Sequence, residues 1–137
     1  VEVSMLEDGL VGSRYTGKIK KLQSSRALVE FDEFFLDEGG KERLKEWCAL
    51  TQLRPPPPPP PADFFSQKSL KPGVALDILF DDGWWEVELL KRRRADGEQE
   101  LLLRSATYQT EQWVGLDHVR PRWHFKHDCW RIEGAPD

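Results

Sequence analysis

The chain repeats itself, and that repeat constrains its fold more than any other feature. From Val1 it reads VEVSMLEDGLVGSRYTGKIKKL, then ALVEFDEFF, then WCALTQLRPP; from Val74 it reads VALDILFDDGWWEVELLKR, then EQELLLRSATY, then WVGLDHVRPRW. Each copy runs an apolar and acidic alternation into Asp-Gly, follows with an aromatic-containing strand and a further strand, and closes on an apolar residue, Arg and Pro. A unit of roughly 55 to 60 residues is near the smallest that holds a core without disulfides or metal. The 137 residues therefore read as two copies of one small β unit with a short connection.

The strands follow from period-two patterning. Val1 to Met5, Tyr15 to Leu22, and Ala27 to Phe31 are the first three of copy one, with Phe34, Phe35 and Leu36 just beyond the third. Lys41 to Trp47 is highly charged and reads as a loop with a helical turn, and Trp47 to Leu53 supplies two short closing strands. In copy two the strands are Val74 to Phe80, Trp84 to Leu90, Glu100 to Arg104 and a closing set over Trp113 to Val119, with turns at Asp81-Asp82-Gly83 and Asp96-Gly97. Trp123 to Ile132 has no counterpart in copy one and reads as a tail strand.

Seven consecutive prolines, Pro55 to Pro61, divide the copies. Proline lacks an amide proton and has a fixed φ, so the run is an extended spacer of roughly 20 Å. The expected organisation is one domain over 1–54, a proline-rich linker over 55–69, a second domain over 70–123 and a tail over 124–137.

Composition narrows the function. Charged residues make up 32% and hydrophobic ones 39%, with a formal net charge of -4, the balance of a soluble globular chain. An acidic chain is not built as a general nucleic-acid binder, which needs a basic face, and suits a basic partner such as a histone tail. No apolar run approaches the roughly eighteen residues of a membrane span. Cys48 and Cys129, one in each half of the chain, form no C-x-x-C and read as reduced structural thiols. His118, His124 and His127 all fall late in the chain, and no nucleophile–base pair, ligand spacing or glycine-rich phosphate loop is legible, so neither catalysis nor a cofactor is expected.

The phrases VEVSMLEDGLVGSRYTGKI, LVEF, LTQLRPPPP, FDDGWWEVEL and LDHVRP resemble a tandem pair of plant Agenet domains, Tudor-like modules of the Royal superfamily, from Val1 to about Trp123. The resemblance implies an all-β fold of two five-stranded, SH3-like barrels. It also implies a monomeric chromatin reader of the nucleus that binds histone H3 tails, some members recognising methylated lysine nine in heterochromatin and transcriptional silencing.

A methylated ammonium is bulky and weakly hydrated, and aromatic faces hold it by cation–π attraction of roughly 0.5 to 2 kcal/mol each. By the resemblance, Tyr15, Phe31 and Phe34 are the cage of copy one, with Asp32 and Glu33 as its acidic lip. The same rings read equally as core aromatics. Arg14-Tyr15 stands where the family's commonest phrase has an aromatic pair. In copy two Trp84 with Tyr108, or Trp113, offers walls, and Leu103 and Arg104 fall where Phe31 would be. Glu7, Asp8, Asp81 and Asp82 are expected to contact other basic side chains of a peptide. Two further readings stand beside this one. The basic run Lys91, Arg92, Arg93, Arg94 would give weak phosphate contact in an RNA- or DNA-binding module, and Arg54, Pro57 and Pro60 match the spacing that SH3 domains dock, as in a protein-interaction scaffold.

Overall fold

A computed structural model describes residues 1–66 and 70–134 of the chain. They form an all-β protein of twelve strands and three single 3-10 turns. Two compact units divide them: one is Val1–Pro56 together with the tripeptide Asp81–Gly83, and the other holds the remaining residues from Pro57 on.

In the first unit β1 (Glu2–Ser4), β2 (Ser13–Gln23), β3 (Arg26–Phe35), β4 (Arg43–Ala49) and β5 (Leu53–Arg54) run in the order β5-β1-β2-β3-β4. In the second, β6 (Ala75–Phe80), β7 (Gly83–Ala95), β8 (Glu98–Ser105), β9 (Thr110–Gly115) and β10 (Val119–Pro121) repeat that order as β10-β6-β7-β8-β9. A hairpin of β11 (Trp123–Lys126) and β12 (Cys129–Ile132) follows. The expected tail strand is thus two strands, joined through His127 and Asp128, both left-handed at φ 53° and 59°.

Five strands per copy were expected, and each of these two sheets has five, but the sheets are open. Among the described residues β4 pairs with β3 and β9 with β8, and neither meets the other end of its own sheet. Two details of copy one also differ from the sequence reading. Lys41 to Trp47 is largely strand rather than helical turn: β4 pairs along β3 from Ala49↔Arg26 to Lys45↔Glu30, and that ladder outweighs the local charge density. Phe34 and Phe35 lie within β3 rather than beyond it, because β3 regains its partner at Phe35↔Arg43.

The turns are where their chemistry requires. Asp81 and Asp82 have φ of 51° and 66°, and Asp96 and Gly97 have 51° and 82°, the paired left-handed residues of two-residue hairpins. Alternation then sorts the core. Ala27, Val29 and Phe31 point inward from β3 with Val3, Met5 and Tyr15, while Leu101 and Leu103 do so from β8 with Leu76, Ile78, Val87 and Leu89. Pro55 to Pro61 belong to no strand or helix. Phe64 and Phe65, on the expected connection, instead join the second core, and residues 67–69 of that connection and 135–137 of the tail lie outside the described residues.

In each sheet a buried ion pair links the first strand of the copy to its neighbour, the last. Glu2 on β1 lies opposite Arg54 on β5, whose Nε and Nη2 donate to Glu2 Oε1 at 3.1 and 2.9 Å. Asp77 on β6 lies opposite Arg120 on β10, whose Nε donates to Asp77 Oδ2 at 3.2 Å. The arginine of the repeated Arg-Pro ending makes this pair in each copy; the proline follows the strand in copy one and is the last strand residue, Pro121 opposite Leu76, in copy two.

Candidate functional site

A β-bulge aligns the two units residue by residue. Pairing of β2 with β3 slips between Ile19↔Val29 and Lys21↔Leu28, and pairing of β7 with β8 slips between Leu89↔Leu103 and Lys91↔Leu102. The inserted residues are Lys20 and Leu90. With the bulges matched, Tyr15 corresponds to Trp85, Phe31 to Ser105 and Phe34 to Tyr108. Trp47, opposite Leu28, corresponds to Trp113, opposite Leu102.

In the first unit the three expected cage residues converge. The rings of Tyr15 and Phe34 stand 4.6 Å apart at 39°, and those of Phe31 and Phe34 stand 5.4 Å apart at 68°. Their exposure differs sharply. Tyr15 is 3% and Phe31 1% exposed, whereas Phe34 is half-buried. The Tyr15 hydroxyl donates to the Asp81 carbonyl at 3.3 Å, and a Cβ on Gly83 would lie 2.4 Å from the Tyr15 ring, so only glycine fits there. Phe34 is therefore the ring of the three that meets solvent, and it occupies the stretch of β3 between Glu30↔Lys45 and Phe35↔Arg43 where the ladder with β4 is interrupted.

Asp32 and Glu33 flank that ring in sequence, with Glu33 exposed. Arg43, which sequence reasoning passed over, reaches the same strand end: its Nε donates to the Asp32 carbonyl at 3.2 Å and its guanidinium lies 5.7 Å from the Phe35 ring centre. Glu7 and Asp8 are exposed in the β1–β2 turn, where the Glu7 carbonyl accepts from the amides of Leu10 and Val11. Asp81 and Asp82 are likewise exposed on the β6–β7 turn.

The second unit corrects the sequence reading of its aromatics. Tyr108 is paired with Trp85 rather than Trp84: their rings stand 5.5 Å apart at 76°, and Trp85 Nε1 donates to the Phe80 carbonyl at 2.9 Å. Trp84 instead carries the Arg120 guanidinium 4.2 Å from its ring centre, which holds that arginine against Asp77. Neighbours on a strand face opposite ways, so only one of Trp84 and Trp85 could join Tyr108, and sequence does not say which. The residue in the place of Phe31 is Ser105, not Leu103 or Arg104, because the bulge shifts the register by one.

Trp113 is covered in turn by Arg93 at 3.9 Å, as Trp47 is by Arg26 at 4.2 Å. The basic run is largely committed within its own unit. Arg92 donates to the carbonyls of Leu70 and Phe65, Arg93 pairs with Glu100 at 2.8 Å, and Arg94 donates to the Gly97 carbonyl. Those bonds leave the run less able to track a phosphate backbone.

Asp77 is a buried carboxylate, as Glu2 is. It is 4% exposed, and its burial raises its pKa above the usual carboxylate range against the pull of Arg120 and Arg122. Arg122 extends the network outward, to Glu133 at 3.2 Å and Glu86 at 3.6 Å, and Glu133 meets His124 at 3.3 Å. This network ties the terminal hairpin to β6 and serves structure rather than ligand contact.

Comparison with known proteins bears on family and fold. Residues 1–58 match the Agenet domain. The chain is 35% identical over 115 residues to Protein AGENET DOMAIN (AGD)-CONTAINING P1 of Arabidopsis thaliana, an alignment that takes in 80% of this chain and 22% of that protein. Its fold is similar to that in the crystal structure of Arabidopsis thaliana AGDP1 AGD34, with a TM-score of 0.78 at 22% identity, over 96% of this chain and 84% of that one. It is similar also to ADCP1 tandem Agenet domain 3-4, with a TM-score of 0.75 at 22% identity, over 96% and 82%.

Proposed function

We propose that this chain, an Agenet domain at residues 1–58 within a tandem Agenet fold related to the Tudor-like readers, reads the histone H3 N-terminal tail methylated at lysine nine and serves heterochromatin and transcriptional silencing in the nucleus. The observation that carries the reading is the convergence of Tyr15, Phe31 and Phe34, with Asp32 and Glu33 between the two phenylalanines on β3. A methylated ammonium loses little hydration on leaving water and gains roughly 0.5 to 2 kcal/mol from each ring face it meets. Phe34, the half-buried ring, is the wall that a ligand meets first, with Tyr15 and Phe31 buried behind it. Asp32 or Glu33 accepts the remaining N–H of a dimethyl ammonium, which a trimethyl form lacks. Glu7, Asp8, Asp81 and Asp82 draw in the other basic side chains of the tail and speed its association.

The test is calorimetric titration with four H3 tail peptides: unmodified, dimethylated or trimethylated at lysine nine, and trimethylated at lysine four. Binding that requires the lysine-nine methyl groups, and falls about 10-fold or more in Phe34→Ala, is the expected result. Phe34 is the better probe than Phe31, whose full burial makes Phe31→Ala a stability mutation first. Equal binding to all four peptides, or to none, overturns the reading.

A further inference from the structure

We infer that the outer face of β2, β3 and β4 in the first unit is a docking surface for duplex DNA, held by its phosphate backbone without regard to sequence. The inference goes beyond the histone reading and does not rest on it.

Register builds the face. Lys18 on β2 lies opposite Glu30 on β3, and Glu30 opposite Lys45 on β4. In the next row Lys21 lies opposite Leu28 and Leu28 opposite Trp47, and in the third Gln23 lies opposite Arg26 and Arg26 opposite Ala49. Residues paired across strands share a face of the sheet. The contacts agree: the amines of Lys20 and Lys45 both stand 3.9 Å from Glu30, and the Arg26 guanidinium lies 4.2 Å from the Trp47 ring centre. Five cations, Lys18, Lys20, Lys21, Arg26 and Lys45, thus surround the single carboxylate of these rows. Lys18 and Lys21 are exposed, and neither meets a carboxylate among the described residues. Ala27, Val29 and Phe31 turn the opposite way, into the core.

Charge is segregated along the strands of this unit. Glu7, Asp8, Asp37 and Glu38 lie between β1 and β2 and between β3 and β4, whereas the cationic rows lie toward the β2–β3 hairpin, at the other end. A chain with a net charge of -4 therefore carries a local positive face, and a face is what phosphate binding needs. Strand spacing sets the backbones of Lys18 and Lys45 roughly 10 Å apart. B-DNA carries one charge per about 1.7 Å of its axis, so a length equal to that width presents about six. An extended acidic peptide would follow one line of cations, whereas a duplex backbone meets all three rows. Trp47, the aromatic of these rows, already stacks with Arg26, so the face offers little to the unpaired bases of a single strand. Leu28 is half-buried and gives a bilayer no wedge, and Leu22, 68% exposed, lies opposite buried Ala27 and belongs to the other face.

The experiment titrates the full chain into a fluorescently labelled DNA duplex of mixed sequence and follows anisotropy at several salt concentrations. The expected Kd is about 10⁻⁴ to 10⁻⁶ M near physiological salt, and three or four net phosphate contacts should weaken binding about 50- to 150-fold between about 50 and 200 mM salt. Lys18→Gln with Lys21→Gln should lower the slope of log affinity against log salt by about 2 and weaken binding about 10-fold at the lower salt. Both lysines are exposed, so the pair should leave the melting curve in place. Lys71→Gln with Lys126→Gln, two exposed lysines outside the face, is the charge-matched control and should cost less than half as much in slope. No duplex binding, or an equal loss from the two pairs, overturns the inference. Equal or tighter binding to poly-glutamate, to vesicles of phosphatidylserine in phosphatidylcholine or to single-stranded RNA also overturns it, and would assign the face to an acidic protein, a bilayer or an unpaired strand. No histone peptide enters this assay, so the two readings fail separately.

Discussion

Replacing Asp77 with asparagine keeps the side chain's shape and removes its charge, and the structure sets the cost. Arg120, 8% exposed, would keep its place over Trp84 and lose the carboxylate that its Nε meets at 3.2 Å. Arg122 Nε, which attracts the same carboxylate as a charge at 3.5 Å without a hydrogen bond, still has Glu133 and Glu86. Removing one partner of a buried pair costs about 3–5 kcal/mol, and the contacts that Arg120 and Arg122 keep place Asp77→Asn at about 3. Urea unfolding followed by tryptophan fluorescence measures that loss, and hydrogen exchange at Leu76 to Ile78 and at Val119 places it on β6 and β10. Adding Arg120→Met removes the charge that lost its carboxylate and should return about 1–3 kcal/mol, a coupling that only a direct pair produces. A loss under about 1 kcal/mol in the single variant, or strict additivity in the double, refutes the ion pair as the lock of the second unit.

Gly17→Ala is expected to destabilise by about 1–3 kcal/mol and lower Tm by several degrees, because its Cβ would lie 2.6 Å from Val29 Cγ1 and 2.9 Å from the Glu30 carbonyl oxygen. An unchanged Tm would mean that β3 yields there freely. Thiol labelling at mildly alkaline pH should modify exposed Cys129 first. Buried Cys48, whose pKa is raised by desolvation and by Glu46, should react only on unfolding, and equal rates for the two would contradict its burial.

The strands of both copies and their hairpin turns were legible because they rest on neighbours in sequence: alternation, Asp-Gly and proline. The β4 strand was not, because Arg43-Leu-Lys-Glu-Trp47 has the charge density of a loop and becomes strand only by pairing with β3. The Arg-Pro endings were visible as a repeat, but their partners Glu2 and Asp77 lie 52 and 43 residues away and look like solvated acids on an alternating strand. Tyr15, Phe31 and Phe34 were found together; their unequal burial was not, since alternation reports which side a residue faces and not what covers it.

By itself the sequence determined that this protein is two copies of one small β unit joined through a proline run, because period-two patterning and turn chemistry act over a few residues. Only the tertiary structure decided which residues of one copy stand for those of the other. A single inserted residue in each long hairpin, Lys20 and Leu90, sets the register beyond it, and that register puts Ser105 opposite the role of Phe31 and Trp85 rather than Trp84 beside Tyr108. Register is a pairing between distant strands, so it is settled by the whole sheet and not by any stretch of it.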